Sequence, residues 1–219
     1  MWDWGEYIAA VVTFFASHRV PLRPRIKGWI SDRVGAGGFT LAYSMMSVAV
    51  LTWIIVAAGR APYVELWPRA AWMNHVTLTL MGVATLVFVM AIGRPNPLSF
   101  GGAGNERFDP QNPGLIGWTR HPLLLVLGLW SMAHIIPNGD LAHVLMFSQF
   151  AIFSLLGKRI IDKRRKRLLG ETQWQQLSAT RRTLRPSLNG TLRVGAAIAL
   201  YYTLLWAHAP VIGVDPLAF

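Results

Sequence analysis

Six histidines and a dense set of arginines are the side chains of this 219-residue sequence best suited to chemistry, because it contains no cysteine. That absence excludes disulfides, thiolate metal sites, iron–sulfur ligation, covalent c-type haem attachment and cysteine nucleophiles. Imidazole remains, as a metal ligand or a proton carrier. His18 is followed by Arg19, and His121 is preceded by Arg120, with Arg23 and Arg94 also near apolar segment ends. Two neutral imidazoles on different helices at one depth are the minimal set for a bis-histidine b-type haem. His121 and His134 lie 13 positions apart, roughly 19 Å along one helix, too far to share an iron. The arginines would neutralise haem propionates. A histidine at a span end can equally sit among headgroups, bonded to water or a carbonyl, and that plainer role stands open for all six.

Positioning these groups is the task of long apolar segments. Hydrophobic residues make up 53% of the chain and charged ones only 14%, where a soluble domain carries about a quarter. The mean hydropathy is +0.37. A membrane-crossing helix needs about 20 mostly apolar residues, and six segments approach this: 2–17, 40–59, 72–93, 122–136, 141–157 and 194–213. The expected fold is therefore all-α, a polytopic helical membrane bundle of about six spans forming one domain over 1–219. The N-terminus lacks the basic region of a signal peptide, so its apolar run reads as a retained span.

The net charge of +11 fits topology better than nucleic-acid binding, since the basic residues fall between apolar runs rather than on one soluble face. Alternating the loops puts five, three and eleven Lys/Arg on one side and two on the other. The bias of positive charge toward the cytoplasm makes the rich side internal and both termini external. On that topology His18 and His121 form an inner layer, and His75, His134, His143 and His208 an outer one. The outer set leaves open a second haem, a metal or neither, with His75, His134 and His143 the candidates and His208 the plainest.

Residues 93–120 form a Gly-, Pro- and Asn-rich connection long enough to suggest a functional loop. The run 158–167 should continue the fifth span as a basic helix that holds topology and touches anionic headgroups, within a cytoplasmic segment 158–193.

Several stretches carry a resemblance. Thr119-Arg120-His121-Pro122-Leu123-Leu124, then Leu129-Trp130-Ser131-Met132-Ala133-His134 and Asn138-Gly139-Asp140-Leu141, resemble the NnrU family of bacterial membrane proteins. Ser17-His18 before Pro21 to Pro24, Gly59-Arg60-Ala61-Pro62-Tyr63-Val64, Leu66-Trp67-Pro68, Pro95-Asn96-Pro97 with Ser99, and the tract from Asp162 to Gly170 extend it over almost the whole chain. The resemblance implies a bacterial cytoplasmic-membrane protein linked to denitrification and nitric-oxide metabolism. It also implies kinship with plant 15-cis-zeta-carotene isomerase, a membrane enzyme using b-type haem. The haem ligands of that relative would correspond to His18 and His121, and its cysteine has no counterpart here. The expected cofactor is thus haem b, and the expected partners are lipid and either a polyene or nitric oxide.

Arg120-His121-Pro122, followed about forty residues later by an acid and then Leu169-Gly170-Glu171 and Trp174, is similar to the isoprenylcysteine carboxyl methyltransferase-like superfamily. That similarity implies S-adenosylmethionine and a lipid substrate, but Asp162-Lys163 stands where a carboxylate pair is expected. The alternatives to a haem protein are therefore a lipid methyltransferase and a non-enzymatic membrane assembly factor. Substrate and oligomeric state are not legible in the sequence.

Overall fold

The computed structural model describes residues 4–218; Met1, Trp2, Asp3 and Phe219 lie outside the described residues, and with them the outermost part of the expected first span. Seven α-helices are described: α1 (Trp4–Arg19), α2 (Pro24–Arg60), α3 (Ala71–Ala91), α4 (Pro122–Ile135), α5 (Leu141–Leu169), α6 (Glu171–Ser178) and α7 (Leu188–Ile212). The only extended pairing among the described residues is an isolated antiparallel bridge between Glu65 and Asp140. Helices alone satisfy their own backbone groups, which is what a chain with so few polar partners requires in lipid.

Four helices, α2, α3, α5 and α7, are long and apolar enough to cross a membrane; α4 is apolar but shorter. One sequence boundary needs correction. The second apolar segment was expected to begin at residue 40, but α2 starts at Pro24, so most of the connection 18–39 is helical. Within α2 the chain kinks at Gly35, whose backbone (φ 75°, ψ 165°) is one that a Cβ would strain. The fifth segment, read as ending near residue 157, continues through the basic run to Leu169, as expected of that run.

The chain divides into two compact units, residues 1–68 with 139–146 and residues 69–138 with 147–219. In the first, α1 packs on α2, with Ala10, Ala57 and Ala58 buried; small residues let helix backbones approach without a hydrophobic driving force. An ion pair joins Arg60 to Glu6 at 3.4 Å. The Gly139 carbonyl accepts from the backbone N–H of Leu66 at 2.7 Å, and a Cβ on Gly139 would stand 2.0 Å from the Trp67 carbonyl oxygen. Only glycine fits that turn.

In the second unit α3 packs against both α4 and α7. The Thr77 hydroxyl donates to the Ala133 carbonyl at 2.8 Å, so the start of α3 meets the end of α4. The Arg193 guanidinium donates to the carbonyls of Val89 (2.5 Å) and Ile92 (3.0 Å), so the end of α3 meets the start of α7. A Cβ on Gly128 would reach the Ser154 hydroxyl at 2.8 Å, and one on Gly157 would reach Leu124 at 3.2 Å. Glycines thus bring α4 and α5 close, antiparallel. His121, Arg94 and Arg193 gather at one end of these helices, and His75, His134 and His208 at the other.

Candidate functional site

The loop 93–120 is tightly built, and Asn96 is its hub. Asn96, buried, donates its backbone N–H to the Asn105 side chain at 2.8 Å and its Nδ2 to the Arg120 carbonyl at 3.0 Å. Its Oδ1 accepts from the Leu98 backbone at 3.2 Å. A Cβ on Gly102 would lie 2.8 Å from the Arg94 carbonyl oxygen and the Asn96 nitrogen, so the fold of this loop demands glycine there. The result is a fixed platform carrying Ser99 inward and delivering Arg120 and His121 to the start of α4. Pro122 opens the helix, where its missing N–H costs nothing.

From the other side come Asp162 and Arg165, about one turn apart on α5 and so able to act together. His121, 5% exposed, places Nε2 at 2.9 Å from Asp162 Oδ1 and Nδ1 at 3.0 Å from the Ser99 hydroxyl. Asp162 Oδ2 accepts from Arg120 at 2.9 Å, and Arg165 donates to the Ser99 carbonyl at 2.7 Å. The Arg120 guanidinium lies 5.1 Å from the centroid of the Trp174 ring, a cation–π distance that ties in α6. An ionised carboxylate only accepts hydrogen bonds, so Nε2 carries the proton and Nδ1 accepts from Ser99. Burial, the largest influence, holds the His121 pKa below its ordinary value; Asp162 opposes this, while Arg120 and Lys158 add to it. The cluster is a neutral imidazole between a hydroxyl and a paired carboxylate. It can hold or relay a proton between Ser99 and Asp162. Ser99, 1% exposed, is closed to attack on a substrate.

The remaining histidines are held differently. His18 belongs to the first unit and His121 to the second. His18 sets Nδ1 at 2.8 Å from the Phe14 carbonyl and 3.2 Å from the Ser17 hydroxyl, its ring against Phe14 at 4.2 Å. His134 sets Nδ1 at 2.8 Å from the Trp130 carbonyl, between the rings of Trp130 and Phe147. The His208 ring lies 6.4 Å from that of His134 and is tilted by only 23°; its Nδ1 faces the Val214 carbonyl at 2.7 Å. His143 sits 2.8 Å from the Asp140 carboxylate, and His75 is exposed. Of the arginines proposed for a cofactor, Arg120 is engaged by Asp162 and Arg94 donates to Asn189 at 2.7 Å, while Arg19 and Arg23 are exposed. Among the described residues no group of three or more His, Asp or Glu is placed to hold a metal ion.

The family model for NnrU protein matches residues 6–216. The chain belongs to the NnrU family. No curated protein and no solved structure matches it. In this NnrU protein, sequence reasoning named His121 and Arg120 but not the hydrogen-bonding roles of Ser99, Asp162 and Arg165. The signal for Asp162 was present, as the lone acid in the basic run 158–167.

Proposed function

We propose that this NnrU-family chain is a protein of the bacterial cytoplasmic membrane that binds b-type haem through histidine. It would serve nitric-oxide-linked metabolism or the cis–trans isomerisation of an apolar polyene. We read α1 and α4 as spans too, giving six with both termini on the non-cytoplasmic side, because that alternation collects the basic segments on one face. The observation that carries the haem reading is His134. Metal-bound histidines characteristically commit their other ring nitrogen to a carbonyl or carboxylate, and the Trp130 carbonyl does this at Nδ1. Nε2 is then the nitrogen for iron, beside aromatic rings suited to a flat apolar macrocycle.

His18 is held in the same way by Phe14, and His208 by Val214. His121 does not fit an axial position as arranged, because both its nitrogens are engaged and Ser99 occupies the space before Nδ1. The proposed ligand is therefore His134, with His208 the neighbouring imidazole in the same unit. When bound, haem would supply a ferrous coordination position for a diatomic gas or a double bond once one of two imidazoles was released; the chain's own residues fix imidazole orientation and surround it with apolar groups. Absorption spectra of purified protein, oxidised and reduced, test this. A Soret band should survive His121→Ala and be lost in His134→Ala, while His208→Ala tests the second imidazole. Colourless protein from haem-replete cells would end the proposal.

One contact favours a second reading. His121 and Asp162 meet across 41 positions, and these are the residues that the methyltransferase similarity singles out. An S-adenosylmethionine-dependent lipid methyltransferase would bind that cofactor in calorimetric titration; absence of heat at millimolar concentration would remove it.

A further inference from the structure

We infer that the emergent end of α5 is a binding site for the headgroup of an anionic phospholipid. α5 has 29 residues, about 43 Å at 1.5 Å per residue, and a bilayer's hydrocarbon core is only about 30 Å thick. Its first 17 residues carry no Lys, Arg, Asp or Glu and cover about 26 Å. The charge thus begins at the depth where hydrocarbon gives way to headgroups. Seven of the ten residues in 158–167 are then Lys or Arg, more than positive-inside topology needs.

The helix divides this charge between two faces. Asp162 and Arg165 turn to His121, Arg120 and Ser99. Lys163, Lys166 and Arg167 instead line, with Glu171, an open recess of about 540 Å³. Lys166 is paired with Glu171 at 2.8 Å, which leaves Lys163 and Arg167, one turn apart and both exposed, without a carboxylate partner among the described residues. Leu168 beside them is 67% exposed. Like charges crowded at one depth repel, and a phosphodiester between them relieves that repulsion. A headgroup with net negative charge satisfies the recess. A zwitterionic one brings a cation of its own.

The full chain in a neutral detergent is titrated with phosphatidylglycerol, phosphatidylcholine or inorganic phosphate, and followed by thermal unfolding and native mass spectrometry. Phosphatidylglycerol should raise the unfolding midpoint and stay bound. Lys163→Gln with Arg167→Gln should weaken it about thirty-fold, at the usual worth of two basic groups near a membrane surface. Arg181→Gln with Arg182→Gln, on the same basic segment but away from the recess, should leave binding unchanged. Should the recess variant fold poorly, the unaltered protein decides: its phosphatidylglycerol affinity must fall as salt rises. Equal protection by phosphatidylcholine or by free phosphate, equal weakening by the Arg181/Arg182 pair, or insensitivity to salt would each overturn the assignment.

Discussion

Replacing Asp162 with alanine should be the most damaging single change in the loop–helix cluster. It leaves the Nε2–H of a buried imidazole without its acceptor, a loss worth about 1–3 kcal/mol. It also breaks the ion pair with Arg120, whose partners are 36% and 32% exposed, and solvent screening limits that to about 0–1 kcal/mol. The sum is about 1–4 kcal/mol. Arg120→Ala removes only the screened pair and the contact with Trp174, at about 0.5–2 kcal/mol. Asp162→Asn keeps an oxygen to accept from Nε2 and should fall between alanine and wild type. Unfolding of detergent-solubilised protein measures the ranking, and a cycle combining His121→Ala with Asp162→Ala should give a coupling of about 0.5–3 kcal/mol. If Arg120→Ala costs as much as Asp162→Ala, or the cycle shows additivity, the imidazole–carboxylate bond is not what holds the loop.

Stability should also respond to pH through His121. Its folded pKa lies below the ordinary 6.5, so below that value the unfolded chain takes up a proton before the folded one does. This contribution is complete above pH 6.5 and is lost as pH falls through the folded value; unfolding of wild type and His121→Gln at matched pH should show a shallower slope for the variant. Gly102→Ala should cost about 1–3 kcal/mol by overpacking, because the Arg94 carbonyl and the Asn96 nitrogen stand 2.8 Å from the added carbon; a thermal shift reads it. Arg193→Ala strips two carbonyls at the end of α3 of a charged donor and should cost about 1.5–3 kcal/mol, with faster amide exchange in the last turn of α3 as the local signature.

The sequence disclosed most where one physical effect dominates. α3 and the α4–α5 turn are written in hydropathy and in Pro137-Asn138-Gly139-Asp140, and they lie where expected. Asp140 accepts from the His143 backbone N–H at 3.2 Å, and Asn138 donates to the His134 carbonyl at 2.7 Å. Hydropathy marks only the apolar part of α2, because Arg25, Lys27, Asp32 and Arg33 interrupt the run before it; of Gly28, Gly35, Gly37 and Gly38 only Gly35 leaves helical geometry. His121 was conspicuous, but its partners come from a loop 22 residues before it and a helix 41 residues after it. No periodicity links such positions. Depth alone suggested pairing His121 with His18; hydrogen bonding instead satisfies it within its own unit. The difference between His121 and His134 lies in what holds each ring nitrogen, and neighbours in the sequence do not reveal that.

α4 has only 14 residues and is about 21 Å long; were it to span the membrane, as proposed, it would fall some 9 Å short of the hydrocarbon thickness. In that case either the surrounding lipid would thin at this helix or the connection leading into it would descend below the membrane surface. Irregular backbone survives at that level only when its amides and carbonyls are answered from within the protein, as Asn96, Asn105 and Arg165 answer them here. A span this short would thereby convert a surface connection into a sunken polar plug, and would set the imidazole it carries where charge is costly and few water molecules reach.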